Sequence, residues 1–277
     1  MRITKKNYFS EKANMEYMGS SQFRDFLKCE ARALAIAKGE YVPEKTTALL
    51  QGSYLDAFFE GTLDEFKQEH PEMFKKNGEL LATYKDVDNI IEVIKQDTVF
   101  YKHCTGKQQK VMTGTINGVK FKILIDSMLP DITVDRKLIK DFEDIYDKNA
   151  RMRKAFWEYW GYDIQGAIYQ EIRKQNEKGK QKPFVLACAT KEKVTDKKLI
   201  MFDQCYLDFA LTEIIAENAP RYDAIKKGII EPTACGVCEY CKSKNKLKEN
   251  EYTMASEFVY DGEFNDLELI QDEEENN

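Results

Sequence analysis

Apolar residues recur with the period of a helix through the first hundred positions and then switch to the period of a strand. Phe23, Phe26, Leu27, Leu34 and Ala37 fall at helical spacing with Gly39 behind them, which predicts a helix over 20–38. Two more are predicted, from Thr46 to Glu60 with Gly61 as the stop and from Lys85 to Gln96. Segments 110–116 and 119–127 flank Asn117-Gly118, the pair that most strongly marks a two-residue hairpin. A turn at Pro130-Asp131 leads into a third strand, Ile132 to Ile139. Beyond it the pattern predicts a long helix from Met152 to Gln175 with an aromatic face, then a compact apolar strand from Pro183 to Thr190. Leu199 to Asp203 is its candidate partner, and a helix from Leu207 to Lys227 follows, stopped by Gly228. Helices, three antiparallel strands, a crossover helix and a further strand predict an α/β fold: a mixed central sheet flanked by helices.

The candidate chemistry lies in the second and third strands, in Asp126-Ser-Met-Leu-Pro-Asp-Ile-Thr-Val-Asp135-Arg-Lys137. Asp135 and Lys137 stand two apart on a strand and so share a face. A short turn brings Asp126, near the end of the preceding strand, beside Asp135. Two carboxylates and an ammonium on one sheet face are unfavourable unless something binds there, and a hard divalent cation with oxygen ligands, Mg²⁺ or Mn²⁺, answers that cost. Asp126 and Asp135, helped by the backbone carbonyl of Arg136, are the expected ligands. Lys137 is expected to position the attacking water or offset charge on a phosphorane. Arg136 itself points to the opposite face, where a covered sheet prefers an apolar residue. That face is therefore either partly open or holds an acid the sequence does not identify.

Charge and cysteines refine this picture. The formal charge of −6 is misleading, because the last 29 residues hold eleven Asp and Glu and no Lys or Arg. Setting those eleven aside from 48 leaves 42 basic against 37 acidic side chains over 1–248. A mildly basic body, expected as one domain over 1–248, with an acidic tail over 249–277, suits a protein that meets polyanions. No run approaches the roughly 20 apolar residues of a membrane span, and the N-terminus lacks a secretory leader, so a cytoplasmic protein is expected. Seven cysteines in such a chain argue against disulfides. Cys235, Cys238 and Cys241 are spaced like a metal or cluster site, whereas Cys104, Cys188 and Cys205 read as core or incidental residues. Lys242 to Lys248 is open between a phosphate grip and a solvated linker.

An Asp followed nine residues later by Asp-x-Lys resembles the PD-(D/E)XK nucleases. Gln165-Gly-Ala-Ile-Tyr169 resembles the Q-x-x-x-Y motif of RecB-type members, with both side chains one helical turn apart. Gly52-Ser-Tyr-Leu-Asp56 resembles their G-x-x-x-H segment, with Asp56 where a metal-binding His stands. Phe26-Leu-Lys-Cys-Glu30 and Gly161-Tyr-Asp-Ile-Gln165 look like the phage-encoded, RecE-like exodeoxyribonucleases, and the similarity spans roughly residues 17–245. The resemblance implies a restriction-endonuclease-like sheet and a Mg²⁺-dependent exonuclease acting on linear DNA. Gln165 and Tyr169 would join the catalytic set and Asp56 the metal ligands, and the products would serve a RecT-like strand-annealing partner. It also implies Cys29 as a fourth ligand, clipping the two ends of the domain together around a 4Fe–4S cluster, with Zn²⁺ as the alternative. Two other readings stand beside this one: a nuclease trimming DNA in CRISPR spacer acquisition, and a non-catalytic DNA-binding module of the same fold. A homo-oligomer is compatible with all of them.

Overall fold

The computed structural model describes residues 1–148, 150–247, 249 and 252–255. The acidic tail expected over 249–277 therefore lies almost wholly outside the described residues. The strands are β1 (Lys107–Ile116), β2 (Val119–Met128), β3 (Thr133–Ile139), β4 (Ile145–Asp147), β5 (Met152–Lys154), β6 (Phe184–Thr190) and β7 (Lys197–Met201). Five of them form one mixed sheet in the order β1-β2-β3-β6-β7. The first turn forms at Asn117-Gly118, both residues being left-handed (φ 44° and 79°), as a hairpin of this length requires. β3 pairs with β2 only through Met128↔Thr133 and Ser127↔Val134, then runs parallel to β6 along its full length. β7 closes the far edge, antiparallel to β6.

The helices are α1 (Glu11–Glu16), α2 (Ser20–Lys28), α3 (Glu30–Ala37), α4 (Thr47–Glu60), α5 (Leu63–Glu69), α6 (Asp86–Gln96), α7 (Thr98–Cys104), α8 (Phe156–Tyr159), α9 (Tyr162–Asn176), α10 (Gln204–Phe209), α11 (Ala216–Lys226) and α12 (Glu239–Lys244). They cover both faces of the sheet. On one side α2, α9 and α11 pack on Phe121, Ile123 and Ile125 of β2 and on Phe184, Leu186 and Cys188 of β6. On the other, α4, α6 and α7 pack on Val134, Ala187 and Ala189. β6 is buried at every position, the mark of a strand covered twice. Among the described residues no helix is long and apolar enough to cross a membrane.

Three predicted helices take different forms. The helix expected over 20–38 breaks at Cys29, whose backbone is extended (φ −165°, ψ 107°). Within the one expected from 152, Met152–Lys154 pairs with β4 in a small separate sheet, and a left-handed Gly161 (φ 66°) divides α8 from α9. The last begins earlier, at Gln204, and passes through a π-helical stretch at Ala210–Ile215.

Buried cations fix the loops around the sheet. Arg173 of α9, fully buried, donates to Leu129 O (2.8 Å), Pro130 O (3.0 Å) and Thr133 Oγ1 (3.1 Å), fastening the turn between β2 and β3. Lys122 of β2 reaches the Tyr8 carbonyl and Asn14 Oδ1 (2.6 Å), which holds the N-terminal segment against the same strand.

Candidate active site and cysteine cluster

The site forms where the β1–β2 ladder misses one rung and β3 leaves β2. Continuing the two registers would set Asp126 opposite Asp135 on β3 and opposite Gln109 on β1, and neither pairing is made. Gln109 is left-handed (φ 50°) at this break, a conformation uncommon for a residue other than glycine. Freed from the ladder, the Asp126 carboxylate turns to β3, where Oδ2 accepts from the Arg136 backbone N–H (3.1 Å). Asp135 is 2% exposed. Its Oδ1 accepts from Gln165 Nε2 (2.6 Å) and its Oδ2 is ion-paired with the Lys137 ammonium. Lys137 lies 5.2 Å from the centre of the Tyr162 ring. One turn along α9 from Gln165, Tyr169 donates to Leu124 O (2.9 Å), locking the helix against β2.

Burial, together with the carboxylates of Asp135 and Asp56, holds the Asp126 carboxyl well above the ordinary carboxylate range, against the pull of Arg136 and Lys137. Burial alone would lower the Lys137 ammonium, but Asp135 and Asp126 outweigh it and keep the group protonated. Gln165 Oε1 is buried with no hydrogen-bond partner. Crowded carboxylates, one of them resisting ionisation, beside an unsatisfied carbonyl oxygen are a set of hard oxygen donors. They fit a divalent cation of the Mg²⁺ type.

Arg136 finds the acid that the sequence left unidentified. Its side chain, 1% exposed, donates from Nε to Asp56 Oδ1 (3.0 Å) and from Nη1 to Gln108 Oε1 (2.7 Å) and Cys104 O (3.1 Å). The sheet face is thus covered, by α4 and α7, with the cation inside it bonded through Nε and Nη1, while its Nη2 is buried without a hydrogen-bond partner. Asp56 is the residue that stands at the His position of the G-x-x-x-H segment that Gly52–Asp56 resembles. With Oδ1 held by Arg136, it has Oδ2 left to offer a cation. Burial raises its carboxyl above the ordinary range, with Arg136 and Lys137 opposing.

Two clefts open on either side of these residues. One, of about 590 Å³, is lined by Asp126, Asp135, Gln165, Tyr169, Tyr8 and Gln109. The other, of about 800 Å³, is lined by Tyr162, Trp160, Leu49, Lys140 and Lys191. Arg24, Ser53, Asp56, Arg136 and Lys137 line both. Sequence reasoning missed Gln108, Gln109 and Tyr162. Tyr162 falls inside the Gly161–Gln165 stretch that carries the resemblance, but no periodicity signals the other two.

The cysteine set assembles from opposite ends of the chain. Cys29 Sγ lies 3.6 Å from Cys241 Sγ and 3.9 Å from Cys238 Sγ, and Cys235 Sγ lies 3.9 Å from Cys241 Sγ. All four sulfurs are within 4.8 Å of one another. The Cys238 backbone N–H donates to Cys235 Sγ (3.4 Å), and this bond, with one from Val237, lowers the Cys235 thiol to about 6. Desolvation pushes Cys238 up to about 12. Four thiols so disposed can hold a metal. Cys104 and Cys188 are buried in the core and Cys205 is exposed, all apart from this set.

A family model for a PDDEXK-like domain of unknown function (DUF3799) matches residues 19–244. No curated protein matches the chain. The crystal structure of a "Putative exonuclease" from Eubacterium rectale superposes with a TM-score of 0.85 at 40% identity, covering 91% of this chain and 97% of that one. With a mixed sheet of the expected form and a match over most of its length, the chain belongs to the PD-(D/E)XK nuclease family.

Proposed function

We propose that the protein is a divalent-metal-dependent exonuclease that hydrolyses phosphodiester bonds of linear DNA. The observation that carries this reading is the turn of the Asp126 carboxylate out of the broken β2 ladder to the backbone of Arg136, between Asp135 and Lys137. Asp126 and Asp135, the Arg136 carbonyl and Asp56 would hold Mg²⁺ or Mn²⁺. When bound, the cation polarises the scissile phosphate and acidifies a water. The chain's own residues supply the rest. Lys137, kept protonated by the two carboxylates, offsets negative charge at the phosphate and orients the attacking water. Gln165 fixes the rotamer of Asp135 through its 2.6 Å hydrogen bond. Tyr169, high in pKa through burial, acts as an anchor for α9 rather than as a proton donor.

Exonucleolytic action rests on the likeness to the Eubacterium rectale protein. On the resemblance to RecE-like enzymes, the reading extends to phage-type recombination: one strand is resected and its partner passed to a single-strand annealing protein. The test is cleavage of a linear duplex and of a covalently closed circle of the same sequence, with Mg²⁺. Progressive release of mononucleotides or short oligonucleotides from the linear form alone is expected. Equal cutting of the closed circle would replace the exonuclease with an endonuclease, and binding without cleavage would favour a non-catalytic module.

A further inference from the structure

The sulfurs of the cysteine set stand closer together than an iron–sulfur cubane permits. We infer that Cys29, Cys235, Cys238 and Cys241 hold one tetrahedral ion of the zinc type per chain, in place of the 4Fe–4S cluster that the family resemblance implies. Four thiolates about 2.3 Å from a single tetrahedral ion are separated from one another by about 3.8 Å. In a cubane each thiolate caps a different iron and points outward, so the four sulfurs spread to on the order of 6 Å. The separations here are 3.6, 3.9 and 3.9 Å, with no pair beyond 4.8 Å. They are also far from the roughly 2.05 Å of a disulfide. The spacing is that of a first coordination shell around one centre.

The surrounding frame brings the two cysteine-bearing segments together. Glu30, next to Cys29, accepts from Arg221 Nε (2.6 Å) and Nη2 (2.8 Å) and from the Thr233 backbone N–H (2.8 Å). Ala31 N–H donates to Thr233 O (3.1 Å). On the other flank the Tyr41 and Tyr240 rings meet edge to face at 5.2 Å. These contacts join the segment that carries Cys29 to the one that carries the triplet, independently of any metal. Among the described residues, no cysteine of the set lines either cleft of the candidate active site. The ion is a staple between residues 29 and 235–241, and zinc, which has no redox chemistry, suits a purely structural role.

The test needs no activity and so stands or falls apart from the nuclease reading. Full-length protein is produced in medium supplied with both iron and zinc, purified without oxygen, and assayed for zinc, iron and acid-labile sulfide. About one zinc per chain is expected, with no sulfide and no brown charge-transfer absorption. Exchange of that ion for Co²⁺ should give the intense visible d–d bands of a tetrahedral all-thiolate centre, and Cys238→Ser should change them. About four irons and four sulfides per chain would overturn the inference, as would a wild-type chain that binds neither zinc nor Co²⁺.

Discussion

At the residue scale, the account turns on Asp126. Its carboxyl is raised above the ordinary range, first by burial and then by Asp135 and Asp56. In the metal-free protein its contribution is therefore fully present below the ordinary carboxylate range, and it is lost as pH rises and the folded form gives up the proton. Melting temperature without metal should fall as pH rises toward neutral, and Mg²⁺ should restore it by pairing with the charge. Asp126→Asn should flatten that slope, melt higher than the metal-free wild type at neutral pH, and show no Mg²⁺ shift; a Mg²⁺ shift equal to that of wild type would exclude Asp126 as a ligand. Arg136→Met tests the opposite face. It strands the Asp56 carboxylate and Gln108 Oε1 and should cost about 1–3 kcal/mol in denaturant unfolding. The shared face of Asp135 and Lys137 was legible from the strand period, whereas Gln165 and Tyr169 were singled out by the resemblance to RecB-type nucleases, the helix period only setting them one turn apart. Asp56 was legible as a position but not as the partner of Arg136, since a separation of 80 positions carries no pairing signal. Gln109 was illegible, because its left-handed backbone accompanies a one-residue interruption of the β1–β2 ladder and does not follow from its own propensity.

At the scale of elements, α9 positions the site, and two glycines set how closely it approaches. A Cβ on Gly166 would sit 2.6 Å from Phe184 Cδ1 and 3.1 Å from Leu207 Cδ2. Gly166→Ala should therefore cost about 1–3 kcal/mol by overpacking and reduce cleavage, because Gln165 moves with the helix. Unchanged activity and melting would show that α9 can shift without disturbing Asp135. Gly161, at φ 66°, divides α8 from α9 and meets Arg24. Its break was hidden in a run of aromatic residues that reads as one continuous helix. The break at Cys29 was hidden for the same reason: Phe23, Phe26 and Leu34 keep helical spacing across a residue whose extended backbone separates α2 from α3. The Asn117-Gly118 hairpin, β3 and β6 were readable from local pattern alone. The short pairing of β2 with β3 was not, and it is this early parting that opens the site.

At the scale of the whole molecule, two metal sites divide the work in the proposed reading. The cysteine staple joins positions 206 residues apart (29 and 235). Stripping its ion with a strong thiol-competitive chelator should lower stability by on the order of 5 kcal/mol and the melting temperature by about 10–20 °C. Removing Mg²⁺ alone should leave the fold standing and stop catalysis. Loss of the cysteine-bound ion, verified by metal assay, with no change in melting would show the staple to be dispensable. The two clefts meet at Asp56, Arg136 and Lys137, and in the proposed reading a DNA strand crosses there. The most direct measurement is release of end label from a linear duplex with Mg²⁺ by wild type, Asp126→Asn, Asp135→Asn and Lys137→Ala, each confirmed folded by its melting curve. The account predicts rapid release by wild type and a loss of at least about a hundredfold in every variant. Wild-type rates in folded Asp126→Asn and Lys137→Ala would contradict it.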